Sequence, residues 1–206
     1  MGEQRLTSEL RQVELVDAAL HIIATRGITS LTTRSLAEHV GLTSGAIFRH
    51  FASLDALLDA VVGRVEVVLE STFPSPDLPP RERIVRFVEA RSAAVGSQIG
   101  MLRLVLSEQF ILALPKEGSA RLSACVQKTR EFLHTSIAEA QAAGEIRKDM
   151  DAHTLAVVVM GTIQMLALSN ANPEARALEA QAVQGGLFTM LNPPTPTPAK
   201  RSKKSA

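Results

Sequence analysis

Apolar residues recur at three- and four-residue spacing along most of the chain, and the strict alternation of a β-strand is nearly absent. The first run ends at Gly27, a residue type favoured just after the C-terminus of a helix. Its apolar face consists of Leu10, Val13, Val16, Leu20 and Ile23. Because the sequence has seven Phe and no Trp or Tyr, the core must be mainly aliphatic. These features predict an all-α fold.

A proline-rich segment divides the chain into two predicted domains. The segment FPSPDLPP, from Phe73 to Pro80, has four prolines in eight residues, and no helix can continue through it. We expect an N-terminal domain over residues 9–69 and a larger C-terminal domain over residues 75–192. Periodicity in the second domain predicts helices at about 80–96, 99–113, 117–142, 152–170 and 173–191. Residues 193–206 are predicted to be a disordered basic tail.

The charge of the chain is distributed unevenly. The formal net charge is +1, but the tail contains four basic residues and no acid. Without those four, 18 basic residues stand against 21 acidic residues. Any DNA binding must therefore come from a local face or from the tail. The tail itself has two interpretations: it adds sequence-independent attraction to DNA, or it only increases solubility.

Several other functional classes lack their sequence signatures. The single cysteine, Cys125, excludes an internal disulfide and fits a reducing compartment. The most apolar run, from Leu155 to Ser169, is too short to span a bilayer, so we expect a cytoplasmic protein that does not enter a membrane. The sequence shows no metal-ligand spacing, phosphate loop or nucleophile–base set. We therefore expect no metal, no cofactor and no enzymatic activity.

Two short helices and a three-residue turn form the most informative motif. The first helix runs from about residue 33 to 40 after Thr32, and the second follows Gly41-Leu42-Thr43. Short helices joined in this way match the helix-turn-helix geometry over residues 32–51, whose second helix enters the DNA major groove. Its inner face is predicted to be Ile47 and Phe51. The residues predicted to be available outward are Ser44, Gly45, Ala46, Arg49 and part of Phe48.

The chemistry of these outward residues fits DNA. Arg49 is the candidate for a guanine or phosphate contact, and Ser44 can hydrogen-bond to several bases. The methyl group of Ala46 can sit against thymine, and Gly45 lets the backbone approach closely. The motif therefore predicts a DNA reader.

The stretch LTTRSLAEHVGLTSGAIFRHFASLDALLDAV, Leu31 to Val62, resembles the DNA-binding signature of the TetR (tetracycline-repressor-like) family of bacterial regulators. The resemblance implies a homodimer that reads a palindromic operator and a ligand cavity in the larger domain. It also implies that DNA is contacted by Arg34, Thr43, Ser44, Gly45, Ala46, Phe48, Arg49 and His50.

Two positions depart from the pattern of the family. Phe48 stands where tyrosine is usual, and Leu54 stands where a phosphate-binding lysine is common. Together they imply fewer contacts to the DNA backbone than other members make. Arg5 and Arg11, or the basic tail, are the candidates that would compensate.

The larger domain offers candidates for an effector pocket and for a dimer interface. Helices expected to converge supply the pocket candidates Met101, Leu104, Phe110, His134, Met160 and Gln164, which could equally be ordinary core residues. Apolar stripes on the last two helices supply the interface candidates Val158, Met165, Leu178, Ala182, Gly186 and Met190. The glycine pair Gly185-Gly186 indicates close approach of helices across a dimer, or else a local break.

We therefore expect a homodimeric transcriptional regulator, a repressor released from its operator by an unknown small-molecule effector. The alternative keeps the fold but changes the output: a DNA-bound protein of the same family that acts through a protein partner and binds no small ligand.

Overall fold

The computed structural model describes residues 2–97, 108–168 and 172–194, which form helices joined by short loops and turns. The helices are α1 (Gly2–Arg26), a 3₁₀ helix (Ile28–Ser30), α2 (Thr33–Val40), α3 (Ser44–Ile47), α4 (Leu54–Glu70), α5 (Pro80–Ser97), α6 (Glu108–Ala113), α7 (Lys116–Ala142), α8 (Ala152–Leu168) and α9 (Pro173–Leu191). No strand occurs among these described ranges, which confirms the all-α prediction. Within the same ranges, no helix is long and apolar enough to cross a membrane.

Most of the predicted helix boundaries lie close to the observed ones, with two exceptions. The third helix is shorter than its apolar spacing suggested, because regular helix ends at Ile47 and a turn continues through His50. The helix predicted at 99–113 can be followed only from Glu108, since the preceding part lies outside the described residues.

The first hydrophobic core joins α1, α2, α3 and α4. Its fully buried members include Leu15 and Ile22 of α1, Leu36 of α2 and Val61 of α4. Three residues of the larger domain extend this core. They are Phe110 of α6, Leu114 in the loop before α7, and Leu122 of α7. The two predicted domains therefore share a core.

The predicted inner face of α1 is only partly correct. Val16, Leu20 and Ile23 are buried as expected, but Leu10 and Val13 are 62% and 52% exposed. The N-terminal part of α1 extends beyond the core that packs from Leu15 onward, so nothing in the described chain covers these two side chains.

The second hydrophobic core lies within the larger domain and joins α5, the C-terminal half of α7, α8 and α9. Its buried side chains include Phe87, Leu133, Ile137, Leu155 and Leu187. Helix α7 has 27 residues, long enough to contribute Leu122 to the first core and Leu133 to the second. It is the structural connection between the two cores.

Helix α4 is held against α7 by ion pairs as well as by apolar packing. The Arg121 guanidinium of α7 donates from Nε to Glu66 Oε1 at 3.0 Å and from Nη1 to Asp59 Oδ1 at 2.6 Å. About two turns further along α7, Lys128 Nζ donates to Glu70 Oε1 at 2.5 Å. These ion pairs connect α7 to α4, the last helix of the predicted DNA-binding domain.

Candidate nucleic-acid interface

Capping residues fix both ends of helix α2, Thr32 at its start and Gly41 at its end. The Ser35 backbone N–H donates to Thr32 Oγ1 at 3.0 Å, and the Thr32 N–H donates to Ser35 Oγ at 3.0 Å. This reciprocal capping box satisfies N–H groups that the first turn would leave unpaired. Gly41 ends the helix with φ 67°, in the left-handed region, and Leu42 N–H donates to Ala37 carbonyl oxygen at 2.9 Å.

Helix α3 is fixed at its start by a cap and on its inner side by the core. Thr43 Oγ1 accepts a hydrogen bond from the Ala46 N–H at 3.3 Å. The side chains of Ile47 and Phe51 are 4% and 9% exposed and lie in the first core with Leu36. This confirms the predicted burial of both residues and gives the short helix a defined orientation.

The outer side of α3 presents an accessible polar and aromatic surface. Ser44, Gly45 and Arg49 are exposed, and Phe48 is 51% exposed. A Cβ added at Gly45 would meet no atom within 4 Å, so the backbone there is open to an approaching molecule. Within the described part of the chain, the Arg49 guanidinium makes no hydrogen bond or ion pair, and its donors are available.

Ala46 differs from the prediction that it faces outward. Its side chain is only 7% exposed, so its methyl group is not available for a thymine contact in this conformation. Helix α3 is a single turn that packs against α2, and its third residue is buried along with Ile47.

His50 is half-buried and holds the end of the motif against α1. Its Nδ1 lies 3.5 Å from Ser8 Oγ, and its carbonyl oxygen accepts a hydrogen bond from Gln12 Nε2 at 3.0 Å. These contacts give His50 a structural position and leave part of its ring at the surface.

Three other arginines, Arg34, Arg11 and Arg5, were predicted to approach the DNA backbone. Arg34, in the first turn of α2, has a side chain that is 88% exposed and an ion pair with Glu38 at 2.9 Å. The hydrogen bond to Glu38 raises the pKa of Arg34, so its charge is permanent. Arg11 forms an ion pair with Glu14 at 2.5 Å, and the side chain of Arg5 lies outside the described part of the structure.

The structure separates the residues that were predicted to line one effector pocket. Phe110 is fully buried in the first core, whereas Met160 packs against the second core. Gln164 is half-buried on α8, and His134 is exposed on α7. Met101 and Leu104 lie outside the described residues. The expected convergence of Phe110, His134 and Met160 is therefore wrong, because α7 is long enough to serve two cores.

An open groove of about 740 Å³ lies at the surface of the larger domain. Charged side chains line much of it, including Arg81, Arg86 and Glu145. It contains none of the predicted pocket residues and has no enclosed apolar surface to bury an organic ligand.

The predicted interface residues lie on α8 and α9. Met165 and Leu178 are 68% and 69% exposed, unusual values for large apolar side chains. Ala182 and Gly186 are exposed, and Val158 and Met190 are half-buried. A Cβ added at Gly186 would meet no atom within 4 Å of the same chain.

Arg91 of α5 was not among the predicted functional residues, although its spacing from apolar residues of the same helix indicates that it is buried. It follows Ile84, Phe87 and Val88 at helical spacing, which places an arginine on the buried face of its helix. The side chain is 5% exposed.

A capped, core-anchored second helix with exposed Ser44 and Arg49 defines a helix-turn-helix DNA-binding protein. Two family models match the chain: "Bacterial regulatory proteins, tetR family" over residues 15–61 and "Tetracyclin repressor-like, C-terminal domain" over residues 113–183. The chain belongs to the TetR family of DNA-binding transcriptional regulators. The family consists of regulators of transcription rather than enzymes.

Named relatives and solved structures agree with this assignment. The chain is 28% identical to the HTH-type transcriptional repressor AcnR of Corynebacterium jeikeium, over 76% of this chain and 82% of that protein. It is 26% identical to the regulator SrpR of Pseudomonas putida, over 89% of this chain and 85% of that protein.

Two solved structures show the same fold. The ketosteroid regulator KstR2 of Mycobacterium tuberculosis superposes with a TM-score of 0.73 at 19% identity, covering 85% of this chain and 94% of that chain. AibR, solved in complex with isovaleryl coenzyme A and operator DNA, superposes with a TM-score of 0.76 at 22% identity, covering 90% and 100%. At these identities the likeness concerns the fold alone.

Proposed function

We propose that this protein represses transcription as a homodimer that binds a palindromic operator and is released from it by a small-molecule effector. The observation that carries the proposal is the exposed face formed by α3 and the turn after it, where the Arg49 guanidinium has no partner among the described residues and the helix is fixed by the core. The similarity to AcnR, a transcriptional repressor, supports repression as the direction of control. Such a protein acts on DNA in the cytoplasm.

Each exposed residue of the motif has a role in this proposal. Arg49 donates to a guanine edge or to a phosphate, and Ser44 hydrogen-bonds to a base. Thr43 keeps its hydroxyl proton for a phosphate while its oxygen caps α3. The open backbone at Gly45 allows close approach, and the ring of Phe48 makes an apolar contact.

Arg34 and His50 extend the surface on either side of α3 toward the phosphate backbone. Arg34 contributes a permanent charge from the first turn of α2. His50 contributes the exposed part of a ring that is held against α1 by Ser8 and Gln12. Contacts of this kind position the protein on DNA and do not depend on sequence.

Dimerisation would cover the apolar surface of α8 and α9. Met165 and Leu178 expose more apolar surface than a monomeric protein usually leaves in contact with water, which favours an interface at this position. Gly186, with open space at its Cβ position, permits close approach of a second helix. A two-fold symmetric dimer uses the same patch on both subunits and presents two α3 helices to two half-sites.

Release by an effector requires a link between the larger domain and α4, and the Arg121 ion pairs provide one. AibR, which has the same fold, was solved with both isovaleryl coenzyme A and operator DNA. To shift the dimer from 1:99 to 99:1 between two states, a ligand must prefer one state by about 5.5 kcal/mol.

The test is a mobility shift of the DNA that flanks the protein's own gene, in the presence of excess nonspecific DNA. We expect specific retardation, and its reversal by at least one compound from a metabolite library. Retardation that no compound reverses would support the alternative, in which a protein partner is the output. Absence of specific retardation at moderate salt would contradict control of its own promoter.

A further inference from the structure

Arg91 is a cation buried among aromatic rings in the larger domain. Its side chain is 5% exposed, and its guanidinium carbon lies 4.8 Å from the ring centre of Phe87 and 5.5 Å from that of Phe73. These two rings and Phe132 pack together with centres 5.0 to 5.5 Å apart. We name Phe73, Phe87 and Phe132 the phenylalanine cluster.

In the part of the chain that the structure describes, no carboxylate neutralises the buried Arg91 guanidinium. Among the described residues, the guanidinium makes a single long hydrogen bond, from Nη2 to Thr129 Oγ1 at 3.4 Å, and its Nε–H has no acceptor. No carboxylate oxygen of the described residues lies within 4.0 Å of it. Burial lowers the pKa of Arg91 to about 10, so the group is still charged at neutral pH.

Glu70, the carboxylate whose charge raises the pKa of Arg91 against the effect of burial, is already paired. Glu70 accepts a hydrogen bond from Lys128 Nζ at 2.5 Å, and both side chains are more than half exposed. Lys128 Nζ in turn lies 5.1 Å from the ring centre of Phe73. The phenylalanine cluster is therefore bordered by two cations and one carboxylate, which leaves an excess positive charge.

Along the same helix pair, two buried hydroxyl groups also have no hydrogen-bond partner among the described residues. Helices α5 and α7 run antiparallel, because Arg91 contacts Thr129 while Arg83 pairs with Glu139. Ser136 lies between these two levels on α7 and is fully buried, and no described residue hydrogen-bonds to its Oγ. The Oγ of Ser92, next to Arg91, is likewise buried without a partner.

We propose that Arg91 and the phenylalanine cluster bind the effector and that the effector is an organic acid, with its carboxylate on the guanidinium and its apolar body against the rings. The inference rests on the proposed function, because it names the chemical class of the ligand that would release the operator. A carboxylate supplies the missing countercharge and accepts from Nε and an Nη group together. Phe73 and Phe132, which are only partly buried, supply ring surface for an alkyl or aryl body, and Phe87 backs them from the core.

The rival explanation is that Arg91 only strengthens packing through its cation–π contacts with Phe73 and Phe87. The two explanations predict opposite effects on the ligand-free protein. If Arg91 binds the effector, its unpaired buried charge destabilises the ligand-free protein. Arg91→Met should then raise the midpoint temperature of thermal unfolding by about 2 °C or more. A packing role predicts a lower midpoint instead.

The binding test uses the full-length protein without DNA in isothermal titration calorimetry. The probes are phenylacetate and octanoate, each matched with its neutral amide, and inorganic phosphate as a simple anion. We expect the wild type to bind at least one carboxylate about 10-fold more tightly than its amide, and Arg91→Met to lose that preference. Arg86→Met is the control, because Arg86 lies on the same helix with a side chain that is 61% exposed.

Three results would overturn the proposal. The first is that neither carboxylate binds the wild type more tightly than its amide, or that the preference survives in Arg91→Met. The second is that Arg91→Met has a lowered midpoint or does not fold, which would give Arg91 a packing role. The third is that inorganic phosphate displaces the probes at equal concentration, which would show recognition of charge alone. Operator retardation by the ligand-free protein tests the proposed function separately, and none of these results depends on it.

Discussion

Two glycines four residues apart in the helix-turn-helix motif have different physical roles. Gly41 adopts φ 67° to end α2, a conformation that residues with a Cβ rarely take. Gly45 has no positive φ, and a Cβ added there would meet no atom of the protein within 4 Å. The first glycine is required by the backbone of the free protein, whereas the open space at the second matters only when another molecule approaches.

Substitution of each glycine by alanine separates these roles. We expect Gly41→Ala to lower the free energy of unfolding by about 1 kcal/mol, because alanine is strained in the left-handed region. Gly45→Ala should change it by less than about 0.5 kcal/mol but weaken operator binding, because the new methyl group faces DNA. Urea unfolding followed by circular dichroism and a DNA titration measure both quantities. Equal operator affinity for Gly45→Ala and wild type would contradict our placement of Gly45 at the interface.

The exposed residues of the motif were predictable from local spacing, and the exception is informative. Ser44, Phe48 and Arg49 are accessible as their positions relative to Ile47 and Phe51 indicate. Ala46 is buried because α3 is a single turn against α2, and helical periodicity cannot foresee how closely two short helices pack. Arg91 was overlooked because arginine is usually assigned to the surface, although its register with Phe87 and Val88 points inward.

Helix α4 connects the parts of the molecule through charges on two sides. Arg64 of α4 pairs with Asp17 of α1 at 3.5 Å, which ties it to the DNA-binding unit. On its other side, Asp59 and Glu66 receive hydrogen bonds from Arg121 of α7. The Glu66 hydrogen bond is the largest cause that raises the pKa of Arg121. The arginine therefore stays charged, and the link persists at any pH at which its carboxylates are ionised.

A double-mutant cycle tests whether Arg121 and Glu66 act as one unit. We expect Arg121→Met and Glu66→Gln each to lower the free energy of unfolding by up to about 1 kcal/mol, since both side chains are partly exposed. The double variant should lose less than the sum of the two, because either change already breaks the pair. Strictly additive losses would show that the contact contributes no coupling. Arg86→Met, which removes ion pairs within α5 alone, is the control.

Helices were predictable from the sequence to a greater extent than their packing was. The caps Thr32, Thr43 and Ser53 and the apolar spacing act locally, so the order and approximate limits of α2 to α4 could be inferred. The placement of Phe110 in the first core could not, because it depends on a contact between segments far apart in the chain. For the same reason, the predicted convergence of Phe110, His134 and Met160 failed.

At the scale of the whole molecule, the proposed dimer would place a second copy of the chain against the last two helices. Large apolar side chains, among them Met165 and Leu178, are exposed on the last two helices. The side chains of the two hydrophobic cores, in contrast, are shielded from solvent within the monomer. A two-fold dimer through this surface would match the symmetry of a palindromic operator. It would also hold the two α3 helices at a fixed separation.

Leu178 is the residue whose substitution tests the dimer with least harm to the monomer, because its side chain is 69% exposed. We expect the wild type to have twice the chain mass of 22.1 kDa in light scattering and Leu178→Glu to have the mass of one chain. A buried glutamate on each side of the two-fold would be unpaired. Leu112→Glu is the control, since Leu112 of α6 is 76% exposed outside this surface. A dimer that survives Leu178→Glu would place the interface elsewhere.

The central claim is that the exposed face of α3 reads DNA, and one equilibrium measurement tests it most directly. Fluorescence anisotropy of a labelled operator fragment gives the Kd of the wild type, Arg49→Ala and Arg86→Ala, with a scrambled fragment as reference. Both variants lose one positive charge from an exposed arginine, but only Arg49 lies in the helix-turn-helix motif, in the turn that directly follows α3. We predict that Arg49→Ala weakens operator binding by about 10-fold or more and reduces the preference over scrambled DNA, while Arg86→Ala leaves both unchanged. Wild-type affinity and preference in Arg49→Ala would contradict the claim.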